Sequence, residues 1–111
     1  MAVGCETPGD GDSPEAVCRR CARKRGVAFI DLARVVVDPE AFARVPVVLQ
    51  DEYGVLPVKL DGGTLYVAVG ELSGRTRERL ESFTGLRVVQ ALAVAGEIPI
   101  ARRAAQKAIG G

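Results

Sequence analysis

Residues 55–69 read VLPVKLDGGTLYVAV, two apolar-rich runs on either side of Asp61-Gly62-Gly63. Glycine reaches positive φ without a Cβ penalty, so a Gly-Gly pair between strand-like runs predicts a hairpin with strands over 55–60 and 64–69. Pro57 has no N–H to give to a ladder, which leaves the first strand with an unpaired side there. Leu65 and Val67 are assigned to opposite faces of the second strand, so that truncating only one of them should be costly.

The flanks supply helices. Downstream, Ser73 caps a helix with Thr76, Leu80 and Phe83 on one face, and Gly85 ends it. Residues 87–94 follow as the next strand. Residues 96–109 form a closing helix with Ile98, Ala101, Ala105 and Ile109 at helical spacing, and Arg102, Arg103 and Lys107 on its other face. Pro99 falls in its first turn, where a missing N–H does little harm. Upstream, Asp38-Pro39-Glu40-Ala41 opens a short helix, Pro46 opens another that ends at Gly54, and residues 27–32 are extended. Ser13-Pro14-Glu15 is a helix start, with Ser as cap and Pro at the first helical position. That helix runs to Arg25, stops at Gly26, and carries Val17, Cys18, Cys21 and Ala22 as its apolar stripe. Residues 1–12 have no period and are expected to be a flexible tail, leaving 13–111 as the domain. The fold class is α+β: a small antiparallel sheet, the 55–69 hairpin with the 87–94 strand beside it, packed with several short helices.

The chemistry of catalysis is missing. There is no histidine in the 111 residues, which removes the usual near-neutral acid/base and the commonest metal ligand. No phosphate-loop pattern occurs and no GxGxxG follows a strand. Ser13, Ser73 and Ser82 are the serines, none in a GxSxG elbow. Asp10 and Asp12 suggest a calcium loop, but Pro14 and Cys21 occupy two of its ligand positions. The chain is therefore read as a non-enzyme that needs no cofactor. Cys18-x-x-Cys21, with Cys5, raises a thiol or zinc module as a weaker alternative. Three thiols without an imidazole leave a zinc site one ligand short, and a redox pair should open a helix, not lie inside one. The plainer reading is that Cys18 and Cys21 serve as small hydrophobes at i, i+3.

Hydrophobic residues make up 48% and charged ones 26%, balancing to a formal +1. That balance demands neither nucleic acid nor an acidic membrane, and aromatics at 5% give no base-stacking platform. No apolar run approaches the ~20 residues of a membrane-spanning helix, and the opening residues lack the features of a signal peptide. Cytoplasmic residence is the default expectation. The charge is uneven within the first helix: Arg19, Arg20, Arg23, Lys24 and Arg25 crowd its polar side. Cations late in a helix complement its dipole, so a solvated face is the plain reading. The sharper one makes these residues the surface for a partner or an anionic ligand.

In order, Phe29-Ile30-Asp31-Leu32, Asp38-Pro39-Glu40-Ala41, Pro46, Tyr53-Gly54-Val55-Leu56-Pro57, the run from Asp61 to Ala68, Thr84-Gly85 and Glu97-Ile98 resemble one family. It is the N-terminal domain of type II secretion and type IV pilus assembly ATPases, also known as the general secretory pathway protein E N-terminal domain. The resemblance implies a regulatory or docking module that binds a secretion or pilus ATPase or an inner-membrane platform protein, peripheral to the inner membrane through that partner. A subset of the family binds cyclic di-GMP through RLG-type motifs in two helical stretches, each closing near a glutamine. Only the last half of one stretch, Ser13 to Gly26, has a counterpart here, and Lys24 stands at the glutamine position. The resemblance therefore carries no nucleotide-binding residues onto this chain. A cyclic dinucleotide sensor working through the arginine-rich first helix remains the competing class. Gly70-Glu71 is a further departure, since the family usually has Asp-Pro there.

Overall fold

The computed structural model describes residues 13–110. The expected tail, with Cys5, Asp10 and Asp12, lies outside them. Helix α1 (Pro14–Arg25) begins as its sequence dictates: the Ser13 hydroxyl accepts from Ala16 N–H at 3.1 Å, and Gly26 closes the helix at φ 70°. Short helices α2 (Pro39–Ala43) and α3 (Val47–Tyr53) follow, then strands β1 (Val55–Asp61) and β2 (Thr64–Val69). Helix α4 (Gly74–Thr84) leads to β3 (Arg87–Leu92), and α5 (Ile98–Gly110) closes the chain after one 3₁₀ turn.

The sheet order is β1-β2-β3. Residues 62 and 63 turn the β1–β2 hairpin, with Asp61 opposite Thr64 and Gly62 at φ 61°. The α+β class stands, with one change of detail: β3 runs parallel to β2, so the sheet is mixed and not wholly antiparallel. The reason lies in the connection. A helix returns the chain to the end where β2 began, and two adjacent strands joined by such a crossover run the same way. The extended 27–32 segment contributes one parallel bridge, Phe29 to Leu92, instead of a full strand.

Both faces of the sheet are covered. One packs Val55, Leu65, Val67, Val69, Val88 and Leu92 against Cys18, Cys21 and Ala22 of α1 and Leu80 of α4. The other packs Leu56, Val58 and Ala68 against Leu32, Phe42, and Ile98 and Ala105 of α5. The assignment of Leu65 and Val67 to opposite faces is corrected here. Side chains alternate with period two, so residues two apart share a face; both belong to the first cluster and both are fully buried. The expected α4 face is also narrower than its spacing implies: Leu80 is buried, but Phe83 is 56% exposed.

Three local devices hold the layers. Asp38 caps α2 through Glu40 N–H at 3.0 Å, donates its own N–H to Val58 C=O at 2.9 Å, and accepts from Leu60 N–H at 3.4 Å. It thereby covers the outer edge of β1 at the bulge that separates Pro57 from Lys59 in the register. The second device is Arg102. It does not lie on a solvated face with Arg103 and Lys107: it is 5% exposed, and its guanidinium donates to Gln50 C=O at 3.0 Å and Val55 C=O at 2.9 Å. The third is Gly70. An added Cβ would lie 2.5 Å from Ala95 Cβ and 3.0 Å from Ala95 Cα. The close approach of the two chain segments explains a glycine here. Gly70→Ala should cost about 1–3 kcal/mol in a urea melt, and a loss below ~0.5 kcal/mol would show that the 70–95 contact yields freely.

Candidate functional site

The basic end of α1 meets the start of α4 at the open side of β3. Between them lies a groove of about 430 Å³, lined by Arg25 and Val27, by Leu72, Ser73, Gly74 and Arg77, and by residues 88–90. The sequence places each wall. Gly26 ends α1 with Arg25 in its last turn, and Val27 turns back toward the sheet with its N–H donating to Ala22 C=O. Ser73 caps α4, its hydroxyl accepting from Thr76 N–H at 3.2 Å. Gln90 of β3 then locks the cap in place: its side-chain oxygen accepts from Ser73 N–H at 3.0 Å, and its amide donates to Ser73 C=O at 2.8 Å.

The cations of α1 are all exposed, and the structure gives them different settings. Arg19 pairs with Glu15 at 2.9 Å and stacks over the Phe29 ring at 4.5 Å, so it pins the 27–30 segment to the helix. Arg20, Arg23 and Lys24 lie along the outer face of α1, and Arg25 alone of the group reaches the groove. Arg77 faces it from α4, with Glu81 3.9 Å away along the helix. Among the described residues, two cations and no acid line the groove, and cations on both walls favour anionic groups by Coulomb attraction.

Sequence reasoning did not find Arg77, Ser73 or Gln90 as groove residues. Their proximity to Arg25 depends on β3 lying parallel to β2 and on α4 crossing over the sheet. It also missed Arg102, for which a signal existed. Ile98, Arg102, Ala105 and Ile109 are spaced by four, three and four, so Arg102 falls on the apolar stripe and not opposite it.

A larger cleft of about 580 Å³ lies where α3, α4 and α5 meet, bordered by Asp51, Glu71, Thr76 and Arg102. Two of its charges answer each other. Arg102 reaches Asp51 at 3.3 Å, and Asp51 is largely exposed. Burial lowers the Arg102 pKa and Asp51 opposes that effect; the guanidinium stays charged.

No nucleophile–base pair borders either opening among the described residues. Cys18 and Cys21 are buried, form no disulfide, and sit in the apolar cluster under α1. No group of three or more His, Cys, Asp or Glu among the described residues is gathered to hold a metal. No helix among them is long and apolar enough to cross a membrane.

Comparison with known proteins gives three results. Residues 25–107 match the model of the MshEN domain. A search of the curated proteins finds no match. Among solved structures, one of MshE with cdg superposes with a TM-score of 0.73 at 20% identity, covering 83% of this chain and 68% of that one. The N-terminal domain of XpsE superposes with a TM-score of 0.68 at 16% identity, covering 82% of this chain and 65% of that one.

Proposed function

This chain belongs to the MshEN domain family, within the N-terminal domains of type II secretion and type IV pilus ATPases, and we propose that it is a non-catalytic docking module for a secretion or pilus machine. Its partner is a protein, either an ATPase of that machine or an inner-membrane platform protein. The observation that carries the reading is the exposed basic face of α1 running into a groove bounded by a strand edge, with no catalytic set beside it among the described residues. The match to an N-terminal domain, and not to a motor domain, supports the same reading.

The surface is Arg19, Arg20, Arg23, Lys24 and Arg25. A tagged full-length chain should retain a component of such a machine from a native lysate, identified by mass spectrometry. The triple variant Arg23→Gln, Lys24→Gln, Arg25→Gln should lose it while still unfolding in one cooperative transition, at slightly lower temperature because cations in the last turn complement the α1 dipole. Equal retention by parent and variant, or capture of no such component, would sink the proposal.

A second reading is favoured by one observation: MshE was solved with cdg. Here the chain would sense a cyclic dinucleotide through the same arginines. Charge alone gives attraction screened over roughly 8 Å at physiological salt, and selective recognition needs directed hydrogen bonds as well. Calorimetry should therefore show weak cyclic di-GMP binding that fades as salt rises and does not discriminate among nucleotides. A low-micromolar, selective signal abolished by Arg20→Ala or Arg23→Ala would put the sensor reading first.

A further inference from the structure

We propose that β3 receives an extended, acidic segment of the protein partner as an added strand along residues 88–90. The inference rests on the docking reading above and names its mode.

The backbone shows which groups are available. Arg87 N–H donates to Gly63 C=O and Ala93 N–H to Val69 C=O, so the odd-numbered residues of β3 turn toward β2. The even-numbered ones turn outward, and their partners differ along the strand. Leu92 is taken, its N–H donating to Ala28 C=O at 2.9 Å and its C=O accepting from Ile30 N–H at 2.8 Å. Val88 N–H is taken as well, by the Glu81 carboxylate at 3.0 Å. Between these two blocks, Val88 C=O and both backbone groups of Gln90 are bonded by no described residue. A short row of unpaired backbone groups is a template for another strand.

The surroundings set the chemistry of the occupant. The groove beside this edge carries Arg25 on one wall and Arg77 on the other; among the described residues no acid lines it, and the nearest carboxylate to Arg77, Glu81, lies 3.9 Å away, held on Val88 N–H. Val89, exposed at 38%, lies at the same edge and offers apolar contact. An extended segment that alternates apolar and acidic side chains would meet the backbone groups, Val89 and both arginines together. Charge complementarity of this kind fixes register and excludes basic segments.

The test uses a random-sequence peptide library displayed on phage and panned on the full chain at physiological salt. Enriched peptides should be rich in Asp and Glu. With one of them synthesised, Gln90→Pro, which removes the outward N–H, should weaken binding about ten-fold or more, since the facing carbonyl is left unpaired. Gln90→Ala keeps that N–H but loses the bonds to Ser73, so it separates strand addition from damage to the α4 cap. Whatever Gln90→Ala costs through the cap, Gln90→Pro should bind about ten-fold or more weakly than it, because only proline removes the outward N–H. The Gln90 amide should exchange rapidly in the isolated protein and slowly with peptide bound. Peptides that bind Gln90→Pro as well as the parent, peptides without acidic enrichment, or no enriched peptide at all would overturn the proposal. The two readings fail separately. If the machine component is retained by Gln90→Pro and lost by the α1 triple variant, docking stands and strand addition does not.

Discussion

Arg102→Ala should lower the unfolding free energy by about 3–5 kcal/mol, the range for removing one member of a buried charged network. The guanidinium donates to Gln50 C=O and Val55 C=O, at the end of α3 and the start of β1. Removing it strands two carbonyls and leaves a hole where a long side chain lay. The ion pair with Asp51 contributes little to this figure, because Asp51 is 81% exposed and solvent screens it. Asp51→Ala should therefore cost no more than ~1 kcal/mol. Arg102→Lys should fall between, since an ammonium on a flexible stem lacks the fork that reaches both carbonyls. Urea melts of the three variants settle the matter. An Arg102→Ala loss below ~1 kcal/mol, or equal losses for Arg102→Ala and Asp51→Ala, would show that the carbonyl contacts do not matter as described.

Leu65→Ala and Val67→Ala should each be costly, by about 2–4 kcal/mol. Both side chains are fully buried on the face of β2 that α1 and α4 cover. Leu65 should lose more, because more atoms leave the same packed layer. Val36→Ala provides the control: Val36 is almost fully exposed, and surface changes usually stay within ~0.5 kcal/mol. A large effect at only one of Leu65 and Val67 would contradict the shared face, and with it the register of the sheet.

Local chemistry was legible, and relationships between distant segments were not. Ser13-Pro14 and Gly26 bound α1 because caps and left-handed glycines act within one turn. Gly54, Gly62 and Gly85, all at positive φ, likewise mark ends that the sequence alone indicates. The apolar pattern of β3 fits either neighbour orientation; the helix between the strands is what makes β3 parallel to β2. The charge of Arg102 points to solvent, whereas its spacing places it on the buried stripe. In the candidate site, the cations of α1 could be named from the sequence, but the groove could not. Arg25, Arg77 and Gln90 are far apart along the chain, and only the crossover through α4 gathers them. Gly70 shows the same limit. Nothing local calls for glycine there, and its reason is Ala95 on the next stretch of chain.

The two borders of the sheet are finished differently, and this bears on stoichiometry. Along β1, Arg102 takes Val55 C=O, Pro57 offers no N–H, and Asp38 occupies Val58 and Leu60. Among the described residues, the longest unbonded run on the other border is Val88 C=O with both backbone groups of Gln90 on β3. Fibre growth by strand pairing requires each copy to offer two borders, one for the molecule before it and one for the molecule after. The described residues leave β3 open and obstruct β1 with Asp38, Arg102 and Pro57. Strand pairing through β3, by a foreign segment or a second copy, therefore favours a pair over a growing series.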